Sequence, residues 1–179
     1  RLLPAPSLSD WTVPFYIEID IEDFLRPGTN VLQIATISLL EEMPYVFEPI
    51  YIIGDFEVRG RSIRPASRRM SGLWNENGYP HYSGIAAYSQ KVDIPAKYAL
   101  GAALVLQLEQ VHDCCRVMIN GDEAGIRLWP PWEVDISRWV VPGVNEIRIE
   151  VANSAANLYD KDPRPSGLAG AARIIVRER

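Results

Sequence analysis

DIEDFLRPGTNVLQI (residues 20–34) and DISRWVVPGVNEIRI (135–149) are one pattern written twice, in register and 115 residues apart. Asp, Ile, Pro, Gly, Asn and a closing Ile coincide, and Phe24/Trp139, Leu25/Val140 and Leu32/Ile147 are apolar counterparts. A period this long exceeds that of solenoid repeats, so it reads as two copies of one domain type. The first copy starts 19 residues into the chain, whereas the second follows a long run of strand-like sequence. The expected organisation is the tail of one domain over residues 1–60, then a complete domain over residues 61–179. The opening Arg1, in place of Met, reads as a processing boundary or a cut end, and the whole as part of a larger protein.

The repeated stretch has a physical logic. Asp20 and Asp135 are short carboxylates suited to accept backbone N–H bonds at the start of a turn. Ile136, Trp139 and Val140 then fall at i, i+3 and i+4, the apolar face of one helical turn. Pro27-Gly28 and Pro142-Gly143 suit the centre of a type II turn, where Gly supplies a positive φ. Beyond the turn the period becomes two. Ile147, Ile149 and Val151 alternate with Glu146, Arg148 and Glu150, the mark of an antiparallel strand with one face inward.

Working outward, strand-like segments dominate: about 15–21, 31–38 and 50–59, then 87–94, 103–108, 114–119, 124–128, 132–135, 146–151 and 172–177. Asn120-Gly121 lies between two of them, the strongest short hairpin signal. Fourteen prolines punctuate the gaps, which suits many short strands joined by turns. The fold class that follows is all-β, two antiparallel sheets packed face to face as a sandwich or jelly roll. Residues 60–71 interrupt the alternation and mark the domain boundary. Three strands ahead of it would expose unpaired edges and an apolar face. They are expected to dock on the second domain, a neighbouring molecule or a missing segment.

Composition narrows the function classes. At 47% hydrophobic and 23% charged residues the chain is globular in character. No apolar run reaches the length of a membrane span, and the opening residues carry no signal-like pattern. A net charge of −5 argues against nucleic acid as a partner. Arg59, Arg61, Arg64, Arg68 and Arg69 crowd one segment, either as an anion or acidic-partner site or, with more weight, as a solvated linker. Cys114 and Cys115 are adjacent. In a strand they point to opposite faces and cannot share a metal, and Cys115 shares its face with Val117 and Ile119.

Three stretches carry a resemblance: YSGIAAYSQKVDIP (82–95), LVLQLEQVHDCCRVMINGDEAGIRLWPPWEVDIS (104–137) and VPGVNEIRIEVANS (141–154). They resemble the galactose-binding-like jelly-roll domain of glycoside hydrolases, as found in the beta-galactosidase and beta-glucuronidase group. With YIIGDFEV (51–58) ahead of a Trp, a Tyr-Ser-Gly and the V-x-I-N-G hairpin, the chain is more similar to the accessory sandwiches of the large alpha-L-rhamnosidases. The resemblance covers about 80–179 well and 15–58 as a partial copy. It implies a non-catalytic domain that supports a catalytic partner domain of the parent enzyme and in some relatives binds carbohydrate, with a secreted or periplasmic setting compatible. In that family the reaction belongs to carboxylates on a separate (β/α)₈ barrel, which takes ~250 residues. The rival reading is a purely structural or interaction module with no sugar binding.

Candidate chemistry fits that expectation. Glycoside hydrolysis needs two carboxyl groups set about 5–5.5 Å or 6.5–9.5 Å apart. The acids on offer, Asp55, Glu57, Asp113, Asp122, Glu123, Glu133 and Asp135, include a cap (Asp135) and turn residues. Only His81 and His112 could serve a nucleophile, and no G-x-S-x-G elbow accompanies them. No catalytic residue or metal ligand is therefore assigned. No cofactor is expected either: dinucleotide, phosphate-loop and calcium-loop patterns are missing, though calcium held by backbone carbonyls would leave no trace. For carbohydrate, exposed aromatic rings beside hydrogen-bonding groups are the better candidates. They are Trp74, Tyr79, His81 and Tyr82 in LWNENGYPHYSG (73–84), and Arg127 and Trp129 beside Pro130-Pro131. Trp132 and Trp139 are assigned to the core. Trp74, Tyr79 and Trp129 open in a shared groove would favour sugar binding, and their burial a scaffold.

Overall fold

The structure, a computed structural model, describes residues 18–33, 50–67, 71–159 and 163–177. Strand accounts for 47% and helix for 8%, so the fold is all-β, with antiparallel sheets arranged as a sandwich. The chain divides into two compact units, Arg1–Ile52 and Ile53–Arg179. The division read from sequence at residue 60 falls in the turn of a hairpin that belongs to the second unit. That hairpin joins β1 (Phe56–Arg59) to β2 (Ser62–Pro65), and its Val58 N–H donates to the Gly78 carbonyl at 2.7 Å. A strand thus occupies the arginine-rich stretch read as a linker. Arg59 pairs with the buried Glu57 carboxylate at 3.2 Å, and Arg61 and Arg64 face solvent. Arg68 and Arg69 lie outside the described residues, as do 15–17 of the strand expected over 15–21 and 34–38 of that expected over 31–38; the described remainders, 18–21 and 31–33, are not strand.

The larger sheet orders β3 (Ile85–Ile94), β8 (Gly143–Ala152), β5 (Cys114–Ile119) and β6 (Asp122–Arg127). The smaller orders β7 (Glu133–Asp135), β4 (Ala103–His112) and β9 (Gly167–Arg177). Two four-residue helices, α1 (Ala96–Ala99) and α2 (Ala156–Tyr159), complete the unit. In β8, Ile147, Ile149 and Val151 are buried and alternate with outward Glu146, Arg148 and Glu150. They meet Cys115, Val117 and Ile119 of β5 and, from the other sheet, Leu104, Leu106, Leu108 and Val134. Cys115 is a core hydrophobe, and Cys114 on the opposite face is half-buried. Trp132 and Trp139 pack partly buried against this core.

The turns of the two cassettes are bonded alike. In the second, Asp135 Oδ1 accepts the Ser137 N–H at 2.9 Å. Asn145 Oδ1 accepts the Val141 N–H at 2.8 Å, and its amide donates to the Val141 and Gly143 carbonyls at 2.7 and 2.8 Å. In the first, Asp20 Oδ1 accepts the Glu22 N–H at 2.9 Å. Asn30 Oδ1 accepts the Arg26 N–H at 3.0 Å, and its amide donates to the Arg26 and Gly28 carbonyls at 2.8 and 3.2 Å. Every partner is displaced by the same 115 positions. Gly28 and Gly143 hold φ of 97° and 93°, the left-handed region the turn demands. Asn120 and Gly121 hold φ of 54° and 93°, as a type I′ hairpin requires.

Candidate functional site

The six aromatic and polar candidates separate into two places. Trp74 is fully buried and belongs to the core, its ring edge-on to Tyr82 with centroids 5.8 Å apart. Its backbone N–H donates to the Ser166 carbonyl at 2.9 Å. The segment around it is stitched down by side chains. Tyr79 donates its hydroxyl to the Ser67 carbonyl at 2.8 Å, and Tyr82 donates its own to the Ile85 carbonyl at 2.9 Å. His81 Nδ1 bonds the Asn157 carbonyl at 3.1 Å. Behind them Asn153 and Asn157 both donate to Ser166 Oγ, at 3.0 and 2.9 Å, beneath the surface. Satisfied buried amides of this kind fix one loop conformation. This place is built to hold chain, and Trp74 offers no ring face to a ligand.

Arg127 and Trp129 lie elsewhere, on an open groove of about 720 Å³ that none of the other four candidates lines. The smaller sheet lines it with Val105, Glu133, Asp135 and Arg177, and residues 126–131 supply the rest. Val105 of β4 is paired with Asp135 of β7 on one side and Ile175 of β9 on the other. Although it points away from the core it is only 7% exposed. Over it runs Leu128-Trp129-Pro130-Pro131, the link carrying the chain from the larger sheet to the smaller, with the Pro130–Pro131 peptide cis. Trp129 is 70% exposed, beside exposed Ile126 and Leu128. Arg127 anchors the link: Nε donates to the Glu133 carbonyl at 2.7 Å and Nη1 to the Ile126 carbonyl at 2.8 Å. Close approach of the strands is needed here, since a Cβ on Gly125 would lie 3.2 Å from Val134 Cγ1.

Electrostatics in the groove centre on Glu133. It accepts from Gln107 Nε2 at 2.9 Å and from Arg177 Nη2 at 2.7 Å. Those two bonds hold its carboxyl below the ordinary 4.5. A proton-donating carboxyl in a glycosidase needs the opposite shift, and the neighbouring Asp135 is occupied by the Ser137 N–H and hydroxyl. The groove presents an exposed indole, a hydrogen-bonded carboxylate and a guanidinium. Among the described residues no group of three or more His, Cys, Asp or Glu side chains could hold a metal ion. No described helix is long and apolar enough to cross a membrane.

Val105 and Arg177 were not among the candidates from sequence, and Glu133 was weighed there only as a carboxyl group for hydrolysis. They meet only because β4 pairs with both β7 and β9, and the one legible hint is the outward parity of Glu133 and Asp135 on either side of Val134.

Comparison with solved structures gives the class. A rhamnosidase from Novosphingobium sp. PP1Y matches with 33% identity over 56% of this chain and a TM-score of 0.51, spanning 12% of that enzyme's length. A glycosyl hydrolase family 2 member from Bacteroides cellulosilyticus matches at 18% identity, covering 54% of this chain and 13% of its own, TM-score 0.47. An FMN-binding beta-glucuronidase from Facaelibacterium prausnitzii L2-6 matches at 19%, covering 66% and 20%, TM-score 0.48. No family model and no curated protein matches. The first likeness supports a glycoside-hydrolase-related domain, and the chain spans about an eighth of that enzyme.

Proposed function

We propose that this chain is a non-catalytic, galactose-binding-like accessory β-sandwich of a larger glycoside hydrolase of rhamnosidase type, supporting the catalytic domain and holding glycan in the Arg127–Trp129 groove. The observation that carries the reading is a largely exposed Trp129 lining the same groove as the Glu133–Arg177 ion pair, in a domain 33% identical to part of a rhamnosidase. A pyranose would lay its C–H face on the indole while Glu133 and Arg177 exchange hydrogen bonds with its hydroxyls. The residues ahead of the second unit are read as the trailing part of a preceding sandwich.

A second reading is favoured by a different feature of the same edge. Ile126, Leu128 and Trp129 form an exposed apolar row, which suits packing against a neighbouring domain as well as a sugar. Calorimetric titration with rhamnose-, galactose- and glucuronate-containing oligosaccharides separates the two. Heat that is lost in Trp129→Ala, with the urea midpoint unchanged, supports glycan binding. Silence with all three sugar types leaves the scaffold role alone.

A further inference from the structure

The two cassettes share their internal bonds but not their surroundings. In the second, the Asn120-Gly121 turn of the β5–β6 hairpin is latched onto the cassette. Asn120 donates its amide to Asn145 Oδ1 at 2.8 Å and to the Trp139 carbonyl at 3.0 Å. It also exchanges two bonds of 2.9 Å with the Glu146 backbone, its side-chain oxygen accepting one and its N–H donating the other. With the hairpin and β3 flanking β8, Asn145 is fully buried, and Val140 and Ile147 are 8% and 6% exposed.

In the first cassette the counterparts stand open. Leu25 and Leu32 are 55% and 50% exposed. Residues 31–33 belong to no strand. Asn30 Oδ1 accepts only the Arg26 N–H among the described bonds, where Asn145 Oδ1 accepts two. A cassette pre-formed to the same bonds, with an acceptor to spare and its apolar side bare, is a receptor for what covers its twin.

Among the described residues neither Asn-Gly turn is a spare occupant. Asn-Gly occurs twice in the sequence. Asn120 is committed to Asn145, and Asn77 donates its amide to the Ser71 and Leu73 carbonyls at 3.0 and 2.6 Å. A second copy of the chain would have to surrender its own latch to supply one. We propose that residues 20–33 are a docking site for a β-hairpin with Asn-Gly at its turn, supplied by polypeptide outside these 179 residues. The hairpin's Asn amide donates to Asn30 Oδ1, and one of its strands runs beside 31–33 and covers Leu25 and Leu32.

The test supplies the hairpin. A backbone-cyclised peptide of residues 113–128, carrying Cys114→Ser and Cys115→Ser, is titrated into the full chain and followed by hydrogen exchange. In a second arm the same hairpin is fused ahead of Arg1 through a Gly/Ser linker, which raises its effective concentration. Slowed exchange at residues 31–33 is expected in both arms. Asn120→Ala in the peptide should weaken binding about tenfold, as loss of a buried hydrogen bond does. Leu32→Asp in the chain should abolish binding, whereas Leu100→Asp, on an exposed leucine away from the cassette, should not. No protection in either arm, protection indifferent to Asn120 and Leu32, or protection arising from self-association of the chain would each overturn the proposal.

Discussion

Replacing Asn145 with alanine removes the pin of the closing edge, and the structure sets the size of the effect. The side chain is fully buried and makes four hydrogen bonds: it accepts from the Val141 N–H and the Asn120 amide, and donates to the Val141 and Gly143 carbonyls. At roughly 0.5–1.5 kcal/mol net per bond, and with part of the turn re-solvated, the loss comes to about 3 kcal/mol. Asn30→Ala removes the three equivalent local bonds from an exposed turn where water replaces them, so it should cost less than about 1 kcal/mol. Urea unfolding followed by circular dichroism reads both. With a slope of about 1–3 kcal/mol/M, Asn145→Ala lowers the midpoint by at least about 1 M and leaves the slope unchanged. Equal, small shifts in the two variants would refute the idea that burial makes one cassette the clasp of the sandwich.

Trp74→Ala should destabilise by about 3–5 kcal/mol because it empties the core. Trp74→Phe should cost much less, since the buried Nε1 has no hydrogen-bond partner among the described residues; denaturation of both variants checks this. Burial, with the adjacent Cys114 adding to it, pushes the Cys115 thiol from 9.0 up to about 11. A thiol reagent at pH 8 should therefore label Cys114 first and Cys115 only on unfolding. Because that folded value is raised, the stability tied to Cys115 is fully present below pH 9 and declines as pH rises toward 11, and Cys115→Ala flattens that alkaline slope. The Arg116 and Arg148 guanidiniums hold Glu150 below the ordinary 4.5. Its contribution is present above pH 4.5 and is lost as pH falls through the lower folded value. Glu150→Gln should remove that acid limb in a pH-dependent unfolding series, and added salt should shrink it.

What could be read from sequence is what is local. Asp135 reaches Ser137, Asn145 reaches Val141, and both turns need glycine, so the cassette carries its own instructions within a few residues. The Asn120-Gly121 hairpin and the opposite faces of Cys114 and Cys115 follow from the same short-range rules. The groove was only half legible. Arg127 and Trp129 stand out as residue types, but Val105, Glu133 and Arg177 join them through pairings between distant strands that no periodicity reveals. Trp74 misleads for a related reason. It sits in an Asn- and Gly-rich loop, and only the contacts with Ser166 and the core at the far end of the chain show why that loop is folded inward. The strand at Ser62–Pro65 was hidden because its four residues are all exposed and show no apolar alternation.

A crystal structure with resolved side chains over residues 20–33 and 135–148 tests the central claim that one closing edge is built twice. The Arg26 N–H should lie within hydrogen-bonding distance of Asn30 Oδ1 and the Val141 N–H of Asn145 Oδ1, with positive φ at both Gly28 and Gly143. An Asn30 side chain turned to solvent, or a different turn at Pro27-Gly28, would contradict it.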